Sequence, residues 1–227
     1  MSVNKEKIAF FDFCETIANF QTADAFVDYV RERNSSLYMK FVEKLRSVLC
    51  RFGIIAFLDR LYGSGFSVNK RLKLFQLFGI SYKKLDQYAE NYYADRVRPN
   101  LIVSIVDLLR EKQEEGFKIY IVSGGYGIYL KYFSKEFCVN TVISSDFKFL
   151  KGICLGVMSG VDCMGINKVK LLDRIFNKDN LFSIAYSDSL SDLPLLQWAD
   201  KAYVIKKLGN ENEKWINEHN LNLIVWK

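Results

Sequence analysis

The stretch IAFFDFCET, Ile8–Thr16, decides the fold. Ile8, Ala9, Phe10 and Phe11 make an uninterrupted apolar run of strand length, as expected of a strand buried on both faces in a parallel sheet. The run delivers a carboxylate, Asp12, to its end. In an open α/β sheet, ligands bind in the crevice outside the carboxyl ends of the strands. An acid placed there is a candidate for chemistry rather than packing. Cys14, two residues on, is the unusual member of the stretch.

Composition supports a packed globular chain. Of 227 residues, 50% are hydrophobic and 15% aromatic, with Pro at only two positions, and no low-complexity run appears. The length suits one core with a sizeable insertion. The five cysteines show no CxxC spacing and His219 is the only histidine, which excludes a His-based metal centre or a Ser-His-Asp triad. Free thiols, a polar N-terminus and the lack of a membrane-length apolar run lead us to expect a cytoplasmic protein without a membrane partner. The 32 basic and 26 acidic residues give a net charge of +6. The basic residues are scattered without a nucleic-acid motif, so no nucleic-acid partner is expected.

After Thr16 the pattern becomes helical. Asp24 to Asn34, Ser36 to Cys50, Gly53 to Tyr62, Ser67 to Phe78 and Ser81 to Asp95 repeat apolar residues at helical spacing, separated by Gly63, Gly65 and Gly79 and capped by Ser67 and Ser81. Their aromatic stripe is expected to form a core of its own. From Pro99 onward, helices alternate with strands expected at Lys118 to Val122, Thr141 to Ser144, Leu181 to Tyr186, Ala202 to Ile205 and Leu221 to Trp226, with a hairpin turning at Lys151-Gly152. This order predicts an α/β fold: a Rossmann-like, mostly parallel sheet flanked by helices. The expected division is a core of residues 1–17 and 99–227, with a helical cap, residues 18–98, inserted after the first strand.

In that arrangement Asp12, Ser123 and Asp188 meet on one rim. Asp188 and Asp192, with Asp12, form a carboxylate cluster suited to a hard cation such as Mg²⁺. Helix capping accounts for Asp188 or Asp192 alone, but not for both together with Asp12. Ser123-Gly124-Gly125 can offer a hydroxyl and amides to a phosphate, though such a triplet is also an ordinary turn. Lys168 could neutralise a phosphate or be simple surface charge.

Four segments in this order, DFCET at 12 to 16, VSGGY at 122 to 126, GINK at 165 to 168 and SDSLSDLPLL at 187 to 196, resemble the haloacid dehalogenase superfamily of hydrolases, in its phosphoserine-phosphatase-like branch. The resemblance implies a Mg²⁺-dependent phosphatase acting through an aspartyl phosphate on a small phosphorylated metabolite. Asp12 would be the nucleophile. Asp12, the Cys14 carbonyl and Asp188 would hold Mg²⁺, supported by Asp192. Ser123 and Gly124 would bind the phosphoryl group, and Lys168, with Lys170 as the fallback, would pair with Asp12 and the phosphate.

Cys14 departs from the family pattern, in which a second Asp serves as acid and base, a role worth roughly 10²- to 10⁴-fold. A thiol with an ordinary pKa near ~8.5 donates a proton poorly and is a worse base. Glu15, pointing elsewhere, is a weak substitute. Slow hydrolysis, phosphotransfer through the same intermediate, and a silent phosphate-binding module are the readings this leaves open. On the cap side, Gln21 stands where phosphoserine-directed relatives have a Glu for the substrate ammonium, and Arg71 matches their cap arginine. An amide supplies no negative charge, so a phosphorylated substrate with a second anionic or hydroxyl-rich part, such as a sugar phosphate, touching Gln21 and Arg71 is expected instead of phosphoserine.

Overall fold

The computed structural model describes residues 5–34, 36–62, 67–210 and 212–227. Its strands are β1 (Glu6–Phe11), β2 (Lys118–Tyr126), β3 (Thr141–Leu150), β4 (Ile153–Ser159), β5 (Leu181–Ser187), β6 (Lys201–Lys207) and β7 (Asn222–Trp226). They form one seven-stranded sheet in the order β4-β3-β2-β1-β5-β6-β7. Every neighbouring pair is parallel except β3 and β4, which close an antiparallel hairpin.

β1 lies at the centre for the reason its sequence suggests. Ile8 and Phe10 pack on one face with Val122, Ala185 and Val204, while Ala9 and Phe11 pack on the other with Ile121, Ile184 and Tyr186. Ile8, Ala9, Phe10 and Phe11 are all fully buried, so no polar alternation is possible there. The faces are covered by α6 (Val103–Glu114), α7 (Gly127–Glu136), α8 (Ile166–Leu172) and α9 (Leu193–Trp198). A short α10 (Lys214–Glu218) buries Trp215 and Ile216. It is too short to show a helical period in the sequence.

Between β1 and β2 lie α1 (Thr22–Arg33), α2 (Leu37–Arg51), α3 (Ile54–Tyr62), α4 (Val68–Phe75) and α5 (Tyr82–Tyr92). Ser67 and Ser81 are the N-caps of α4 and α5, their hydroxyls accepting from the backbone N–H groups of Lys70 and Lys84. Gly63 and Gly65 lie outside the described residues. The helix after Pro99 starts only at Val103, because Arg98–Asn100 winds into a 3₁₀ turn around the proline. The hairpin turns at Lys151 and Gly152, both at positive φ (48° and 77°), the pairing a type I′ turn requires.

Two expectations need correction. β2 does not end at Val122: it runs on to Tyr126, its pairing with β3 slipping between Ser123 and Tyr126. Gly124 and Gly125 are thus a bulge, which glycine permits, rather than a terminal turn. The aromatic stripe of the inserted helices is not a separate core either. Phe26 of α1 and Tyr92 of α5 pack with Tyr129 of α7 at ring separations of 5.4 and 5.3 Å, and Tyr126 of β2 packs on Phe147 of β3 at 4.6 Å, all within one apolar cluster that includes Phe11 and Ile121. The connection from β1 to α1 turns back on itself, Ile17 N and Ala18 N both donating to Phe13 O (3.0 Å each), and α1 packs over the sheet.

The segment before α5 also pairs with β4, Gly79 N donating to Cys154 O (2.9 Å) and Cys154 N to Ile80 O (2.8 Å). This covers a sheet edge that would otherwise be open. A shared core makes a specific demand. Phe26→Ala should destabilise the protein by about 3–5 kcal/mol and shift one calorimetric transition as a whole. A second, separate transition would show that the inserted helices unfold independently.

Candidate active site

Parallel pairing sets the rim. Phe11 stands opposite both Ile121 of β2 and Tyr186 of β5, and Asp12 N extends the ladder to Tyr186 O at 2.9 Å. The next residue outward on each strand therefore belongs to one carboxyl edge. Asp12, Cys14, Gln21, Ser123, Gly124, Lys168, Asp188 and Asp192 all line a single cavity of about 310 Å³. Arg71 does not line it. Its neighbour Lys70 does, because consecutive helical residues point about 100° apart.

Lys168, in the first turn of α8, places its Nζ 2.6 Å from Asp12 Oδ1 and 2.6 Å from Asp192 Oδ2. Ser187 Oγ donates to the same Asp192 oxygen at 2.7 Å. Lys168 is 2% exposed. Burial alone would strip its proton, but Asp12 and Asp192 outweigh that and hold the ammonium above its ordinary range. Burial likewise pushes the Asp12 carboxyl up, Lys168 opposes the rise and Asp192 adds to it. Lys170 is exposed to solvent, so of the two lysines only Lys168 faces Asp12.

Asp188 faces Asp12 across Thr16. Thr16 Oγ1 donates to Asp188 Oδ1 (3.0 Å), accepts from Asp188 N (3.1 Å), and stands 3.5 Å from Asp12 Oδ2. Burial first, then the charge of Asp12, raises the Asp188 carboxyl to about 7. Three acids, Asp12, Asp188 and Asp192, are gathered here, and among the described residues Lys168 is the one ammonium bonded to them. Hard oxygen donors with a charge deficit fit a divalent cation such as Mg²⁺. Among the described residues no three His, Cys, Asp or Glu side chains are grouped as a ready ligand set. A cation at Asp12 and Asp188 would draw further oxygens from backbone, water or phosphate, as Mg²⁺ commonly does.

On the phosphate side, buried Ser123 Oγ accepts from Gly125 N at 3.1 Å and fixes the bulge. A Cβ on Gly124 would come within 2.8 Å of Met164, and one on Gly125 within 2.6 Å of the Tyr129 hydroxyl. Both glycines are therefore required sterically. Lys70 Nζ donates to Gly124 O (2.6 Å) and Asp162 Oδ1 (2.5 Å), tying α4 to the bulge through a buried ion pair. A lysine on a helix ordinarily reads as surface charge, and nothing in its spacing distinguishes Lys70.

Cys14 Sγ lies 3.0 Å from Thr22 Oγ1, which lies 2.8 Å from the Tyr129 hydroxyl. Burial, and then the charge of Asp12, pushes the thiol up, so it stays protonated at neutral pH. Gln21 Nε2 bonds to Glu15, which occupies that carboxylate. Asp24, one turn further along α1, also lines the cavity and pairs with Lys73 at 3.0 Å. The comparison of Gln21 with the family's Glu gave no hint of this second acid on the wall.

The parallel sheet and its convergent rim define an α/β enzyme. The chain belongs to the haloacid dehalogenase-like hydrolase family, whose model matches residues 9–197. No curated protein matches the sequence. Among solved structures, a protein of unknown function from Bordetella pertussis Tohama I superposes with a TM-score of 0.75 at 18% identity, covering 97% of this chain and 99% of that one. A phospho-aspartyl intermediate analogue of phosphoserine phosphatase gives a TM-score of 0.62 at 17% identity, covering 99% and 95%. A HAD family hydrolase from Salmonella enterica serovar Typhi gives 0.62 at 18%, covering 97% and 68%. At these identities the likeness is one of fold.

The Asp188 shift sets a sign for pH dependence. Between the ordinary 3.8 and about 7 the folded protein holds a proton that the unfolded chain has released, so ionising Asp188 removes stability as pH rises through that window. In chelator, the melting temperature of Asp188→Asn should gain on wild type from pH 5 to about pH 7 and level off above it. A difference that stays flat or shrinks would contradict the burial and repulsion assigned to Asp188.

Proposed function

We propose that the chain is a Mg²⁺-dependent phosphatase that cleaves a small phosphorylated metabolite through an aspartyl phosphate on Asp12. The observation that carries this is the Asp12 carboxylate at a strand end, bonded to Lys168 at 2.6 Å and facing Asp188 across one small cavity. In this reading residues 1–17 and 99–227 are the catalytic core, and residues 18–98 are a cap contributing Gln21, Asp24, Asn69 and Lys70 to the cavity wall. The described cysteines are all free, which suits a cytoplasmic setting.

Asp12 attacks phosphorus, and the leaving alkoxide departs on the opposite side. Lys168 favours the ionised form of Asp12 and offsets charge on the phosphoryl oxygens. Ser123 and Gly124 border the place where those oxygens sit. Asp12, the Cys14 carbonyl and Asp188, with Asp192 in support, would hold Mg²⁺, which would supply electrostatic neutralisation of the approaching phosphate. Lys168 and Ser187 already occupy one Asp192 oxygen, consistent with a supporting role. The cavity lies at the low end of ligand pockets, about 300–1,000 Å³, which favours a sugar-phosphate-sized substrate. Gln21 and Asn69 are the amides available to its hydroxyls.

Cys14 divides the reaction. Its raised thiol keeps its proton through both steps: a good leaving group departs without an acid, but no base is left to take a proton from water as a carboxylate does. The phosphoenzyme therefore forms more readily than it hydrolyses. This supports a second reading, transfer of the phosphoryl group to an acceptor alcohol in place of water.

A panel of phosphorylated metabolites with Mg²⁺ tests the proposal. Turnover should vanish with chelator and in Asp12→Asn, and Cys14→Asp should speed dephosphorylation by roughly 10²-fold or more. Activity that survives Asp12→Asn would overturn the assignment. Unchanged rates in Cys14→Asp would remove any catalytic meaning from position 14.

A further inference from the structure

The helix α2 is built the wrong way round for one that faces water. Its inward side holds a polar network, in which Arg46 donates to Glu43 and to Asn69 Oδ1 (2.8 Å) and Gln76 Nε2 donates to Glu43 Oε2 (2.8 Å), with only Met39 and Val42 buried beside it. Its outward side carries Leu37, Phe41, Leu45 and Val48 in one stripe that runs on to Phe52. Leu37 is 81% exposed, Phe41 67% and Phe52 73%. On α3 the same pattern continues, with Phe57 and Leu61 largely exposed. A water-facing helix places charge outward and apolar residues inward, and monomeric proteins rarely leave a contiguous apolar patch beyond about 300–600 Å² uncovered.

The charges around this stripe have one sign. Over residues 37–62 the exposed charged side chains are Lys40, Lys44, Arg51 and Arg60. The acids of that span, Glu43 and Asp59, are turned inward, Glu43 to Arg46 and Asp59 to the backbone of Val68. By helical spacing Lys40, Lys44 and Arg51 border one side of the α2 stripe, where long basic stems can lie along apolar surface with their charges at its margin. A second copy would bring like charges together at its edges. An anionic surface would complement them.

We infer that the α2–α3 face docks the protein onto an anionic lipid bilayer, with the Leu and Phe stripe entering the interface and Lys40, Lys44 and Arg51 meeting the headgroups. This is the residue pattern of an interfacial amphipathic helix. No described helix is long and apolar enough to cross a membrane, so the contact is peripheral. The expectation of no membrane partner, which rested on the lack of a spanning segment, did not consider this mode. The inward polar network hides the pattern in the sequence, where α2 reads as an ordinary helix with its apolar side in the core.

Vesicle sedimentation with the full chain tests the inference. The protein should pellet with phosphatidylglycerol-containing vesicles and bind pure phosphatidylcholine at least about tenfold more weakly, with binding that falls as salt rises. Removing Lys40 and Lys44 together as alanines should weaken binding roughly twentyfold, about fivefold per charge. Phe41→Ser with Phe57→Ser should abolish it. These side chains are exposed, so melting temperature and turnover of soluble substrates should not change. Absence of pelleting, equal binding to neutral vesicles, or a stable dimer in sedimentation velocity that the Phe substitutions dissociate would each overturn the inference, the last by showing that a second copy covers the face.

Discussion

One buried ammonium holds the site together. Lys168 Nζ stands 2.6 Å from both Asp12 and Asp192, joining the end of β1, the start of α8 and the turn before α9. Each of these groups alone would be too costly to bury, since breaking such a pair by removing one partner typically costs about 3–5 kcal/mol. Together they fix where the Asp12 carboxylate points, and Lys168 opposes the rise that burial and Asp192 impose on it. Because Asp188 adds a third acid beside a single ammonium, the cluster resists full ionisation, which raises the Asp188 carboxyl to about 7. The same imbalance that destabilises the metal-free protein provides a place for a divalent cation and, with it, a phosphate.

The wall opposite the rim is not a loose cover. The inserted helices share their aromatic core with β2, β3 and α7, their connection pairs along the β4 edge, and Lys70 reaches from α4 to the carbonyl of Gly124. The phosphate side of the cavity and the helical side are thus braced against each other. The bulge at Gly124 and Gly125 has no room for a side chain at either position, which links the packing of Met164 and Tyr129 to the geometry of the rim.

Much of this was legible in the sequence because burial on both faces leaves a plain mark. Ile8 to Phe11 could only be a central strand, and the ordered acids at strand ends placed Asp12 and Asp188 on one edge. Other features leave no such mark. Lys168 and Lys170 are both lysines of one short helix, and only packing separates the buried one from the exposed one. Arg71 stood out by analogy, while the rotation of α4 turns Lys70 to the cavity. The aromatic stripe of the insertion has the period of a helix bundle whether it packs on itself or on a sheet, and the exposed face of α2 has the same period as a buried one. Cys14 was visible as an oddity, but its contact with Thr22, and through Thr22 with Tyr129, depends on α1 folding back over β1.

The central claim is that Asp12 accepts a phosphoryl group at a site equipped for that step and poorly equipped for the next. Rapid acid quenching of the enzyme with an activated aryl phosphate and Mg²⁺, followed by mass mapping of the peptide that carries Asp12, tests it directly. The account predicts a phosphoryl adduct on Asp12 that accumulates in wild type and falls in Cys14→Asp. An adduct on another residue, or turnover with no adduct in either protein, would contradict it.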